Sequence, residues 1–182
     1  MKSSKLYRLA KYIVYKRTIR RPIDYLWTFL GALVGISLVG ITQQSALLLT
    51  DKIFLVGSFG ASAVLIYGAT NSPLAQPRNF FGGHLISAFI GVTISFLLPQ
   101  ENLLWFSAGL TVALSIVAMQ MTQTVHPPGG ATGLIAIIGS EKVKSLGYAY
   151  IFSPILVSLL IMFFVALIFN NIPKDRSYPY RG

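Results

Sequence analysis

The 182-residue chain contains no cysteine, which excludes disulfides, thiolate nucleophiles, iron–sulfur clusters and cysteine-built zinc sites. Acidic residues are nearly as scarce: Asp24, Asp51, Glu101, Glu141 and Asp175 stand against 15 Lys and Arg. Charged residues make up only 11%, whereas roughly a quarter is usual for a soluble domain. His84 and His126 are the only imidazoles. A histidine metal centre would need carboxylate partners, and none lies inside the apolar runs, so no metal or cofactor is expected. The same shortage argues against cation sites and carboxylate proton relays. It also argues against an enzyme, because a serine–histidine arrangement would lack its carboxylate and the two histidines lie far apart along the chain.

What the chain has instead is apolar length. Hydrophobic residues reach 54% and the mean hydropathy is +0.66. The sparse charges leave uncharged runs at 25–50, 53–77, 79–100, 102–140 and 145–173. About 20 apolar residues cross a bilayer core, so each run can cross once and the fourth has room for more. The pattern predicts an all-α membrane protein. Residues 1–21 carry eight Lys and Arg and no acid, with Leu6, Leu9, Ala10, Ile13 and Val14 at helical spacing. This reads as a basic amphipathic interfacial helix over 1–22, lying on anionic lipid headgroups rather than binding nucleic acid. It does not resemble a cleavable signal. Pro22 and Asp24 open the first span, 23–172 form the transmembrane domain, and 173–182 a short cytoplasmic tail. Basic residues ahead of the first span predict a cytoplasmic N-terminus.

Internal similarity sets the expected number of crossings. GALVGISLVG (31–40) aligns with GLTVALSIVA (109–118), matching Gly31/Gly109, Val34/Val112, Ser37/Ser115 and Val39/Val117. GASAVLI (60–66) aligns with GATGLIA (130–136), and Leu85, Ser87 and Ile90 with Leu156, Ser158 and Ile161. Their common order suggests three segments repeated once, giving about six membrane-crossing segments as a 3+3 inverted repeat. The expected spans are 24–43, 52–70, 79–99, 103–122, 124–140 and 147–171.

Two of these spans carry breakers. Gly57, Ser58, Gly60, Ala61 and Ser62 interrupt the second, and HPPGGATG (126–133) the fifth. Each is expected to approach mid-membrane in extended form and continue as a half-helix, over about 60–70 and 130–140. Irregular backbone at that depth must be buried in protein or line a cavity. Two opposed helix N-termini would then present free amides and partial positive charge to a small monovalent anion. The expected lining is Ser58, Gly60, Ala61, Ser62, Gln123, Thr124, His126, Pro127, Gly129, Gly130, Ala131 and Thr132. His126 titrates near neutrality when unperturbed and could couple anion movement to a proton. His84 reads first as a structural hydrogen-bonder, and Arg78 as a loop anchor or a lure for anions. Gln120 lines the path or caps carbonyls. Gly31, Gly35, Gly82, Gly83 and Gly91 read as helix-packing glycines.

The stretches GSFGASAVLIYGATNSPLAQPRNFFGGH (57–84) and HPPGGATG (126–133) resemble the signature blocks of the HPP family of integral membrane proteins. The resemblance covers roughly 23–170. It implies membrane transport of nitrite, as attributed to cyanobacterial and plant plastid members; the absence of a transit-like extension favours a bacterial or cyanobacterial inner membrane as the expected location. That family is usually described with four or five spans, from which the six-crossing reading departs. Some bacterial relatives append paired CBS domains, and no regulation through such domains is expected here. The alternatives to a nitrite carrier are an anion channel and a non-transporting scaffold or assembly subunit. The small size favours a homo-oligomer.

Overall fold

The computed structural model describes residues 21–43, 49–99, 101–174 and 176–180. The basic amphipathic segment expected over 1–22 lies almost wholly outside them. The described residues form helices α1 (Pro22–Thr42), α2 (Leu49–Ala63), α3 (Pro77–Leu97), α4 (Leu104–Met121), α5 (Pro127–Ile138), α6 (Glu141–Ser145) and α7 (Val157–Asn171). A π-helical turn, Val64–Gly68, extends α2. Proline stands at the start of α1, α3 and α5, where its fixed φ suits the first turn and its missing N–H costs nothing. Five stretches are long and apolar enough to cross a membrane: Pro22–Thr42, Leu49–Gly68, Pro77–Leu97, Leu104–Met121 and Ile151–Asn171. Their outward faces are apolar, with Phe29, Leu33, Trp105, Phe164 and Ile168 among the exposed side chains.

Hydrogen bonds define the two ends of the bundle. At one end Thr28 Oγ1 donates to Tyr67 O at 3.1 Å, Asn170 Nδ2 to Ile66 O at 2.8 Å and Arg78 to Thr122 O at 2.7 Å. At the other end Gln43 Nε2 donates to Ser158 Oγ at 2.9 Å, and Ser140 N and Oγ donate to the Asp51 carboxylate at 2.9 and 2.6 Å. Successive segments therefore alternate in direction. Helix α5 has 12 residues, about 18 Å at 1.5 Å per residue and short of a ~30 Å core. Its non-helical lead, 122–126, turns at Gln123 and is fastened through Thr122 O and Val125 O to Arg78 and Asn79 at the start of α3. With that lead the chain passes from end to end six times, and residues 176–180 return to the end where α1 begins.

The two interrupted spans turn out differently. The fifth breaks as expected: His126 is extended at φ −141°, ψ 99°, and the helix begins at Pro127. The second does not break. Residues Leu49–Gly68 are helical throughout, so Gly57, Ser58, Gly60, Ala61 and Ser62 lie within a continuous helix. The opposed pair of half-helix N-termini is not formed. Glycine in a helix costs about 1 kcal/mol relative to alanine, which tertiary packing readily exceeds. Only proline removes an amide and forces an ending, and α2 has none. A break not anticipated from sequence occurs at Ser153, extended at φ −137°, ψ 118° ahead of Pro154.

Small residues set the closest approach in the bundle. A Cβ on Gly129 would lie 2.5 Å from Gly83 O, and one on Gly133 2.6 Å from Ser87 O. Helices α3 and α5 thus meet backbone to backbone. Gly31 and Gly35 make room for the Tyr67 ring, whose hydroxyl donates to Met162 O at 3.0 Å. Around these contacts Leu55, Phe59, Ile66, Phe80, Leu159 and Met162 form the core.

Candidate functional site

Ser58 and Ser62 stand one turn apart on α2, so their hydroxyls share a face. That face meets His84 from α3 and Thr132 from α5, with His126 just before α5. All five side chains are buried, His84, His126, Ser62 and Thr132 completely so. His84 Nδ1 lies 2.6 Å from Thr132 Oγ1, and His84 Nε2 lies 2.8 Å from Ser62 Oγ. Ser62 Oγ is also 2.9 Å from His126 Nε2, while His126 Nδ1 is 2.8 Å from Leu74 O. Ser58 Oγ is 2.9 Å from both Thr132 Oγ1 and Pro128 O. Tyr150 donates its hydroxyl to Thr132 O at 3.0 Å. The imidazole centroids are 4.9 Å apart. Phe80 presents its ring edge-on to both, at 5.6 and 5.5 Å.

The donors can be assigned from the chemistry of the partners. A carbonyl only accepts, so His126 Nδ1 carries a hydrogen. In the uncharged cluster Thr132 donates to His84 Nδ1, His84 Nε2 to Ser62, and Ser62 to His126 Nε2. Ser58 then has one hydrogen for two acceptors, Thr132 Oγ1 and Pro128 O. One added proton on His84 reverses the far half: His84 Nδ1 donates to Thr132, Thr132 to Ser58, and Ser58 to Pro128 O. Every bond is kept. A relay through the Ser62 oxygen passes that proton to His126, again without leaving a donor or acceptor unused. A second proton would set two cations 4.9 Å apart, so the hydrogen-bond pattern has room for one at most.

Among the described residues, no Asp, Glu, Lys or Arg side chain is a hydrogen-bond partner of the cluster, so that proton would have no carboxylate bonded to it. Asp51 precedes Ser58 by seven residues, about 10 Å along α2, and is held by Ser140. Arg78 precedes His84 by six residues, about 9 Å along α3. An unpaired charge in so dry a setting costs several kcal/mol.

The remaining expected site residues divide between support and surface. Arg78 bonds Thr122 O and, at 3.5 Å, Gln123 Oε1, while Asn79 Nδ2 donates to Val125 O at 2.8 Å. These bonds fasten the lead of α5 to the start of α3, so Arg78 anchors. Gln123 turns the chain there with φ 55°. Thr124 is buried beneath Gly82, and its hydroxyl lies 2.7 Å from that of Thr122. Gln120, Gln123, Pro127, Ala131 and Ala61 are exposed, and Gly60 is half-buried. Gly129 serves packing against Gly83, whereas a Cβ on Gly130 would touch nothing within 4 Å. Among the described residues no three His, Asp or Glu side chains gather as a metal site.

The residues of this cluster fall within the blocks GSFGAS, GGH and HPPGGATG, and the chain matches the family described as HPP, transmembrane region, over residues 17–179. The chain belongs to the HPP family. It is 39% identical over 183 residues to one transmembrane protein of Dictyostelium discoideum, covering 97% of this chain and 58% of that protein. A second Dictyostelium transmembrane protein is 44% identical over 154 residues, covering 84% of this chain and 54% of its own length. The chain thus spans a little over half the length of these relatives. No solved structure matches it. Within the HPP motif, His126 holds the Leu74 carbonyl and Ser62, Pro127 starts α5, and Pro128 lends its carbonyl to Ser58. Sequence reasoning read His84 first as a structural hydrogen-bonder, and its ring lies within hydrogen-bond distance of Ser62 and Thr132. The clue to its placement was that GGH closes the first signature block as HPP opens the second.

Proposed function

We propose that this HPP-family membrane protein moves a small monovalent anion across the bilayer together with a proton, nitrite being the first candidate. The observation that carries the reading is the His84–Ser62–His126 relay, which can take up one proton without losing a hydrogen bond yet has no acidic partner among the described residues. The missing counter-charge must come from outside the protein, and a small anion supplies it. Anion and proton then enter as a neutral pair, which reduces the cost of crossing a low-dielectric interior. Opposed helix termini play no part in this version of the site. The alternating sense of the segments is compatible with rocking of one half against the other. The end bearing Arg21, Arg78, Lys174 and Arg176 faces the cytoplasm in this reading.

Ser62 and His126 also have the spacing of a nucleophile and its base. However, Ser62 is fully buried, and a carbonyl rather than a carboxylate orients the ring, so we favour transport over hydrolysis.

The test uses purified protein in liposomes with an imposed pH gradient. Nitrite uptake should accelerate when the nitrite side is made acidic, and should fall at least about tenfold in His84→Gln. Uptake that ignores the gradient would remove the proton from the scheme. Absence of flux for nitrite, nitrate, formate, chloride and bicarbonate, with stoichiometric recovery of a partner protein, would point to a scaffold.

A further inference from the structure

Three hydroxyls outside the histidine cluster are buried without a hydrogen-bond partner in the protein: Ser87 on α3, and Thr111 and Ser115 on α4. This is unusual, because a hydroxyl within a helix ordinarily donates to the carbonyl one turn back. Thr93 does so to Phe89 O at 2.8 Å, Ser107 to Leu103 O at 3.1 Å and Thr122 to Ala118 O at 2.7 Å. The local option was thus open to the other three, and they do not take it.

Their placement is continuous. Ser107, Thr111 and Ser115 recur every fourth residue on one face of α4, covering roughly 12 Å. Ser87 follows His84 by three residues on the same face of α3. Gly133 of α5 draws the two helices together, since a Cβ there would lie 2.6 Å from Ser87 O and 3.2 Å from Thr111 Cγ2. One end of this row opens on a cavity of about 590 Å³ lined by Ser95, Ser107, Ile137 and Ile138 with Glu141 and Lys144. The other end runs toward Gly83, beside His84. Met119, one turn beyond Ser115, would be 3.2 Å from a Cβ on Gly83, the neighbour of His84.

We infer that Ser87, Thr111 and Ser115 form the binding row along which a small monovalent oxyanion passes between the Ser107 cavity and the His84–His126 pair. The inference rests on the transport reading and names the path that reading requires. Free hydroxyls donate to an anion without a fixed charge, so they hold it briefly and release it. The hydrogen atoms that an anion would use are not spent on backbone carbonyls.

The experiment compares wild-type protein with Thr111→Val, Thr111→Ser, Ser115→Ala and Ser87→Ala in liposomes, with Thr93→Val as control. Anion flux and the melting midpoint in detergent are both measured. Valine matches threonine in shape and removes only the hydroxyl. If that hydroxyl has no protein partner, its removal leaves the fold as stable or more so. Flux in Thr111→Val and Ser115→Ala should nevertheless fall about tenfold or more, with Thr111→Ser and Thr93→Val near wild type. Wild-type flux retained in all three deletion variants overturns the row and leaves the transport reading standing. A fall in flux that tracks a fall in the melting midpoint and is not rescued by serine also overturns it, as the hydroxyls would then be structural. Wild-type protein that carries none of the tested anions overturns both.

Discussion

Thr132 is the side chain on which most of the cluster converges. Its hydroxyl lies between His84 Nδ1 and Ser58 Oγ, and its carbonyl receives Tyr150. Thr132→Val keeps the shape and strands a buried imidazole nitrogen, a loss of about 1–3 kcal/mol. The melting midpoint in detergent should fall, nitrite uptake should be lost, and Thr132→Ser should restore both. Gly130, adjacent in the motif, behaves differently: its added Cβ meets no atom, so Gly130→Ala is expected to keep the fold. Ser58, Ser62, Thr132 and His126 were legible in the sequence because polar residues set among glycines deep in an apolar run need partners. His84 was named as well, but its partners were not, since they are 22 and 48 residues away and nothing local indicates which way an imidazole turns.

Helix α2 and helix α5 show how breakers of different strength act. Gly57 lies in the continuous α2, and a Cβ there would touch nothing within 4 Å. Gly57→Ala should therefore stabilise the protein by about 0.5–1 kcal/mol, read as a raised melting midpoint; a fall would restore the half-helix. The opposite holds at the α3–α5 contact. Gly133→Val drives its Cβ into the Ser87 carbonyl, and since backbone cannot step aside, the prediction is a marked loss of folded protein in fluorescence-detected size exclusion. The sequence placed Gly83 and Gly91 in the packing class but put Gly129 at the anion. Both glycines of a Gly-Gly pair look alike in the chain, and only the facing helix shows that Gly129 touches Gly83 while Gly130 does not.

The bundle is clasped at both ends by polar contacts between distant parts of the chain. Ser140 closes one end on Asp51. At the other, Arg176 reaches Tyr67 O, Asn170 Oδ1 and Thr28 Oγ1, and Tyr178 donates its hydroxyl to Ala75 O at 2.8 Å. Burial pushes the Tyr178 phenol above its ordinary value of 10.0. The folded tail therefore holds that proton more tightly than the unfolded tail. Its contribution is complete below pH about 10 and is lost progressively as the pH rises beyond it. Proteolysis within 173–180 should accelerate in that alkaline range, and Arg176→Gln should accelerate it even at neutral pH.

Residence in a membrane, the all-helical class, the near positions of the segments and the break at His126-Pro127 were already settled by composition and by proline. These depend on the length of apolar runs and on a missing amide hydrogen, which are properties of a short stretch of chain. Folding decided the rest: that α2 runs unbroken past its glycines, that two histidines 42 residues apart share one serine, and that three hydroxyls stay unpartnered between helices. Each of those outcomes depends on which helix lies opposite, and long-range packing sets that partner, whatever the local residues prefer.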